Sequence, residues 1–135
     1  MIFVDTSAWL ALADAKDRVH PRAVGFQRRL MEGEFGKMVT TNYVVAETVT
    51  ITRRRLGVGP AIAFANEVRG GGEIQVFWIE PVHHHEAVDL MAVHEDKNWS
   101  LTDCTSFVVM RALGMRDAFA FDQDFVQAGF SVQPT

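Results

Sequence analysis

Only one cysteine, Cys104, occurs in the 135 residues, so no disulfide can form within the chain and a reducing cytoplasm is the expected setting. Although 48% of the residues are hydrophobic, no stretch approaches the roughly 20 uninterrupted apolar residues that span a bilayer. The first residues, Met1-Ile2-Phe3-Val4-Asp5, lack the basic lead and long apolar region of a secretory signal, which again points to the cytoplasm. Repeats, low-complexity tracts and Pro/Ser-rich linkers are absent too, and Gly70-Gly71-Gly72 is long enough only for a loop. One domain covering residues 1–135, with a real hydrophobic core, follows from that length and apolar share. An excess of positive charge is also missing. A net charge of -4 argues against a surface that clings to nucleic acid everywhere. Arg28-Arg29, Arg53-Arg54-Arg55 and Lys97 remain as local basic patches, with a solvated helix end favoured by the macrodipole as the alternative for the arginine triplet.

What is present alternates between short apolar runs and helical segments. Strands are predicted at 2–4, 38–40, 74–79, 118–121 and 130–132. Helices are predicted at 7–15, with Thr6 or Ser7 as N-cap, at 19–31, and from Asn42 to Leu56 with Gly57 as the stop. Further helices follow from Pro60 to Val68, at 86–96 and 102–113, with one or two turns at 123–128. The strands are apolar almost throughout rather than at every second residue, which indicates a parallel sheet covered on both faces.

Against that frame certain acids stand out. Asp5 directly follows Ile2-Phe3-Val4 and Asp122 directly follows Ala118-Phe119-Ala120-Phe121, so each is placed at the carboxyl end of a buried strand, where open parallel sheets hold ligands. Capping of the next helix is the plainer reading of Asp5. Glu47 shares a helical stripe with Val44 and Ile51 and so faces the core or its edge, where an unpaired carboxylate is costly. An arginine partner or a slight rotation toward solvent would also accommodate it. Asp103 opens the helix Cys104 to Met110, a position that suits both a cap and an ionised metal ligand.

Acids of this kind cannot share a pocket as bare anions, because like charges raise one another's pKa. A hard dication resolves the conflict. Oxygen ligands without His or Cys point to magnesium or manganese rather than zinc, and such sites serve phosphate chemistry by clamping the phosphate and lowering the pKa of bound water.

The segments Val4-Asp5-Thr6-Ser7-Ala8, Thr41-Asn42-Tyr43-Val44-Val45-Ala46-Glu47, Ser100-Leu101-Thr102-Asp103-Cys104 and Phe119-Ala120-Phe121-Asp122-Gln123-Asp124-Phe125 together resemble the PIN-domain nucleases, and more narrowly the VapC-type toxins of toxin-antitoxin pairs. The resemblance covers essentially the whole chain. It implies a three-layer α/β/α sandwich around a parallel sheet and a magnesium- or manganese-dependent endoribonuclease that leaves a 5'-phosphate and a 3'-hydroxyl. It further implies catalytic, metal-holding acids at Asp5, Glu47, Asp103 and Asp122, a homodimer, and an inhibitory antitoxin partner. Relatives often carry Thr or Ser just before the last aspartate, where this chain has Phe121, so Asp124 stands as a substitute for Asp122 or an addition to it. Thr6 and Ser7 are placed to support the first acid through hydroxyl or backbone hydrogen bonds.

Other conspicuous residues have plainer readings. Three adjacent histidines, His83-His84-His85, cannot all face one point on a helix or strand. Trp9 and Trp78 lie in apolar stretches and are expected in the core, whereas Trp99, just ahead of Asp103, is kept as a substrate contact. Cys104, with no positioned His base, reads as a small buried apolar residue.

Overall fold

The computed structural model describes residues Met1 to Thr135. In chain order the elements are β1 (Ile2–Val4), α1 (Thr6–Ala13), α2 (His20–Met31), β2 (Met38–Thr41), α3 (Asn42–Leu56), α4 (Val58–Arg69), β3 (Ile74–Phe77), α5 (Pro81–Val93), α6 (Leu101–Ala112), β4 (Asp117–Phe119), α7 (Asp124–Gln127) and β5 (Ser131–Gln133). The five strands form one sheet in the order β3-β2-β1-β4-β5, every neighbouring pair parallel. The parallel sheet is the one expected from the apolar runs, and with the seven helices it makes the α/β/α sandwich that the resemblance implies.

β1 lies at the centre, and all three of its residues are fully buried, as a strand covered on both faces requires. The chain builds outward from β1 through β2 to β3, then crosses back to place β4 and β5 on the other side. Strand order therefore reverses between β1 and β4, and the crevice beyond their carboxyl ends is where this architecture opens a ligand site. The register brings the two strand ends level: Val4 is opposite Phe119, and the Asp5 amide donates to the Phe119 carbonyl at 3.0 Å.

A cluster of 26 buried apolar residues fills the interior. Phe125 of α7 packs on Phe3 and on Phe107 of α6, with ring centroids 6.1 and 5.0 Å apart. Burying a phenylalanine of this kind contributes roughly 1.5–3 kcal/mol. That anchor holds a helix of only four residues, and with it the turn that carries Asp122 and Asp124.

Some expectations need correction. β3 ends at Phe77, and Trp78 just beyond it is 70% exposed, so it is not a core residue. β3 is an edge strand, where one flank lacks the cover that central strands enjoy. Trp99 is 7% exposed, packs edge-on against Phe107 at 5.0 Å and donates from Nε1 to Gln127 Oε1 at 3.2 Å, so it is core and not a substrate contact. α5 starts at Pro81, five residues before the expected start, because proline fits the first turn and His83 Nδ1 accepts from the Glu80 amide. β4 stops at Phe119, which leaves Asp122 three residues past the strand end rather than directly on it.

Candidate metal centre

Asp5 ends β1 and caps α1 in one residue. Its backbone is extended and its Oδ2 accepts from the Ser7 amide at 3.1 Å and the Ser7 hydroxyl at 2.6 Å. The capping reading is thus correct, and it does not compete with a site, since the second carboxylate oxygen is not used in the cap. Asp5 is only 3% exposed, and burial pushes its carboxyl up to about 7. The two Ser7 hydrogen bonds act against that rise, while the charges of Asp103 and Asp122 add to it. Ser7 Oγ also accepts from the Phe121 amide at 3.0 Å, so one hydroxyl ties the end of β1 to the chain leaving β4. Beside it the Thr6 hydroxyl is buried without a partner.

Asp103 occupies the third position of α6. Ser100 Oγ accepts from its amide at 3.0 Å, and its own Oδ2 accepts from the Ser100 amide at 2.9 Å. This reciprocal box satisfies two donors of the helix start and fixes the carboxylate's direction. Asp103 is 9% exposed; burial raises its pKa first, with the Asp122 charge adding and the Ser100 hydrogen bonds opposing. Asp122 Oδ1 accepts from the Asp124 amide at 2.6 Å, which closes the turn into α7. Asp124 is half-buried, and its carboxyl is pushed up to about 7 by desolvation and by its contacts with the carboxylates of Asp122 and Asp103.

Asp103, Asp122 and Asp124 each offer an oxygen within 4.8 Å of the others. Opposite ligands of a single magnesium lie about 4.2 Å apart, so small side-chain shifts would close the group on one hard cation. The donors are all carboxylate oxygens, and burial together with neighbouring charge raises the pKa of Asp103 and Asp124, a cost that such a cation relieves. Asp5 lies near enough to feel two members of the group.

Glu47 stands apart from the three. It is half-buried on α3, between the fully buried Val44 and the half-buried Ile51, and takes part in neither ion pair of the chain. It lines a shallow groove of about 510 Å3 that Thr102, the residue before Asp103, closes on the α6 side.

The histidines make separate contacts: His83 with the Glu80 amide, His84 with the Tyr43 hydroxyl, and His85 edge-on to His84. Burial pushes the Cys104 thiol up to about 11, which leaves it un-ionised and inert. Two supporting roles went unseen in the sequence. Ser100-x-x-Asp103 is a capping-box spacing that could have been recognised, whereas the reach of Ser7 to Phe121 spans the sheet and has no local signal. Phe121 donates its amide to Ser7 Oγ, and its ring lies under the Arg22 guanidinium at 5.5 Å.

Residues 2–131 match the PIN domain family. Over 130 residues the chain is 38% identical to a Mycobacterium tuberculosis protein named 23S rRNA-specific endonuclease VapC20, covering 96% of this chain and 95% of that one. A protein of Archaeoglobus fulgidus named VapC ribonuclease is 24% identical over 124 residues, 90% of this chain and 77% of its own length. Among solved structures, Mycobacterium tuberculosis VapC20, described as a Sarcin-Ricin loop cleaving toxin, aligns with a TM-score of 0.88 at 37% identity over 97% of each chain. FitAcB from Neisseria gonorrhoeae shares the fold, with a TM-score of 0.64 at 17% identity over 98% of this chain and 96% of its own. A family match over nearly the full length, on a fold whose strand-order reversal gathers carboxylates in one crevice, means that this chain belongs to the PIN domain family.

Proposed function

We propose that this protein is a metal-dependent endoribonuclease, the toxin of a toxin-antitoxin pair, and that Asp5, Glu47, Asp103 and Asp122 are its catalytic acids, with Asp124 as a further metal ligand. The observation that carries the reading is the group formed by Asp103, Asp122 and Asp124, with oxygens within 4.8 Å of one another and the buried Asp5 beside it. Magnesium or manganese is the ion this oxygen-only donor set would take. When bound there, such an ion supplies a water of lowered pKa and offsets the charge that builds on the phosphate.

The chain's own part is positioning. Ser7 holds Asp5 and the segment before Asp122 in one hydrogen-bonded corner, and Ser100 holds Asp103. Phe125 fixes the turn of Asp122 and Asp124 from below. Carboxylates so held need no reorganisation as the phosphodiester is attacked, which is where preorganised sites gain their advantage. Glu47 is the member this proposal brings in from α3, through the groove that Thr102, the residue before Asp103, bounds. A protein that binds RNA or antitoxin with little cleavage is the weaker reading, because it leaves the costly gathering of acids without a purpose.

A homodimer, a cytoplasmic location and an antitoxin partner belong to the same proposal. The metal-free crevice is anionic, so an antitoxin arginine can occupy the ion's place through forked hydrogen bonds. The substrate proposed is the sarcin-ricin loop of 23S rRNA, on the strength of the 38% identity to VapC20 over nearly the whole of both chains. Purified protein with magnesium should cut a synthetic stem-loop of that sequence at one position and leave a scrambled loop intact. Equal cutting of both would refute the substrate, and cutting of neither, nor of total RNA, would refute the ribonuclease.

A further inference from the structure

The groove that holds Glu47 runs along α3 and is bounded by Thr102, the residue before Asp103. Tyr43, Glu47, Thr50, Ile51 and Arg54 follow at helical spacing along one side of α3, and Thr102 faces them from α6. Of the basic residues singled out elsewhere in the sequence, Arg29 pairs with Glu34 and lies over the Phe26 ring, Lys97 pairs with Asp96, and Arg28 sits on α2 away from this groove. Arg54 is exposed, belongs to neither pair and lines the groove, whereas Arg53 and Arg55, about 100° away on either side of the helix, do not. The macrodipole explains a basic last turn in α3 but not which arginine turns into the groove. From position 47 to position 54 the helix rises about 10 Å, so Arg54 meets a different phosphate from one lying at Glu47.

The other end of the groove is aromatic. The Tyr43 hydroxyl and His84 Nδ1 share a hydrogen bond of 2.8 Å, and their rings meet edge to face with centroids 6.1 Å apart. The tyrosine ring is thereby pinned from α5. A fixed ring at one end of a groove and a free cation at the other is an arrangement on which unpaired nucleotides stack and track their backbone.

We propose that this groove holds the RNA strand adjoining the cleaved phosphodiester, with the Arg54 guanidinium on a neighbouring phosphate and the Tyr43 ring stacked under an unpaired base. The assignment rests on the ribonuclease reading and deepens it. It is tested by fluorescence anisotropy with a labelled sarcin-ricin stem-loop RNA, using two non-cleaving forms of the protein: the Asp5→Asn variant and the wild type in EDTA. In both, Arg54→Ala should weaken binding about tenfold and reduce the slope of log K against log salt by about 0.7–0.9. Arg54→Lys should keep that slope. Tyr43→Leu should weaken binding about tenfold with the slope unchanged, and Arg55→Ala should stay within about twofold. In the cleaving enzyme, Arg54→Ala should raise KM far more than it lowers kcat. Unaltered binding by Arg54→Ala, an equal loss with Arg55→Ala, or no RNA binding in either form overturns the groove assignment. Failure of the ribonuclease reading shows separately, as absence of cleavage by metal-loaded wild type while the binding series still reports on the groove.

Discussion

Asp5→Asn is expected to lower RNA cleavage by about a thousandfold or more while making the metal-free protein more stable at about pH 8. The loss follows from the position of Asp5: it is buried at the strand-order reversal beside Asp103 and Asp122, and removing its charge weakens the hold on a dication worth several kcal/mol to a phosphoryl reaction. The gain follows from the same burial. Asparagine caps a helix as well as aspartate and still accepts from the Ser7 amide. It removes an anion whose pKa is pushed from 3.8 to about 7, a rise equivalent to roughly 4 kcal/mol as an upper bound. A realised gain of about 1–3 kcal/mol would raise the melting temperature by about 3–10 °C. At about pH 5 the folded wild-type carboxyl is protonated and the difference should fall to less than half of its value at pH 8, vanishing only below about pH 4. Melting curves at the two pH values check this; a variant that melts well below wild type at both would make Asp5 a structural cap and nothing more.

Stripping divalent metal with EDTA should abolish cleavage, with manganese or magnesium restoring it, and the same operation should expose a fall of stability with rising pH that the bound ion cancels. Asp5 and Asp124, both pushed up to about 7, keep their protons in the folded state through a window in which the unfolded chain has released them. The native state then binds more protons than the unfolded state, so metal-free stability falls as pH rises from about 4 to about 7, and these two groups add no further slope well above that. A dication binds the deprotonated acids, so its apparent affinity should climb through the same window by up to about tenfold per pH unit for each proton displaced. At a hundred times its dissociation constant the ion adds about 2.7 kcal/mol. Metal-loaded protein, whose site acids are deprotonated in both folded and unfolded states above about pH 4, should accordingly show little slope from these groups, so the gap between loaded and stripped protein widens toward neutrality. Melting temperatures that follow one pH curve with and without magnesium, or cleavage that persists in EDTA after contaminating nucleases are excluded, would dispose of the metal mechanism.

The parts of this arrangement that could be read in the sequence are those set by short-range chemistry. Ile2-Phe3-Val4 announces a central strand because nothing in it tolerates water, and Asp5-Thr6-Ser7 announces a cap. Glu47 is legible as an anomaly on an apolar stripe, and it sits at the core's edge as that stripe requires. Long-range geometry was not legible. Trp78 and Trp99 exchange their expected places because apolar neighbours in sequence cannot distinguish an edge strand from a buried one. The histidine run disguised the start of α5, although Pro81 marked it. Asp122 and Asp124 could not be told apart because both depend on how the chain turns between β4 and α7; the turn brings both to Asp103. Among Arg53, Arg54 and Arg55 only the packing of α3 decides which side chain reaches the groove.

The measurement that bears most directly on the central claim is anomalous diffraction from crystals of the wild-type protein grown with manganese. A peak bonded to carboxylate oxygens of Asp103 and Asp122, with Asp5 and Asp124 drawn in around it at distances typical of a hard dication, is the expected result. A crevice without a peak, in protein from the same preparation that cleaves RNA in manganese, would contradict the account.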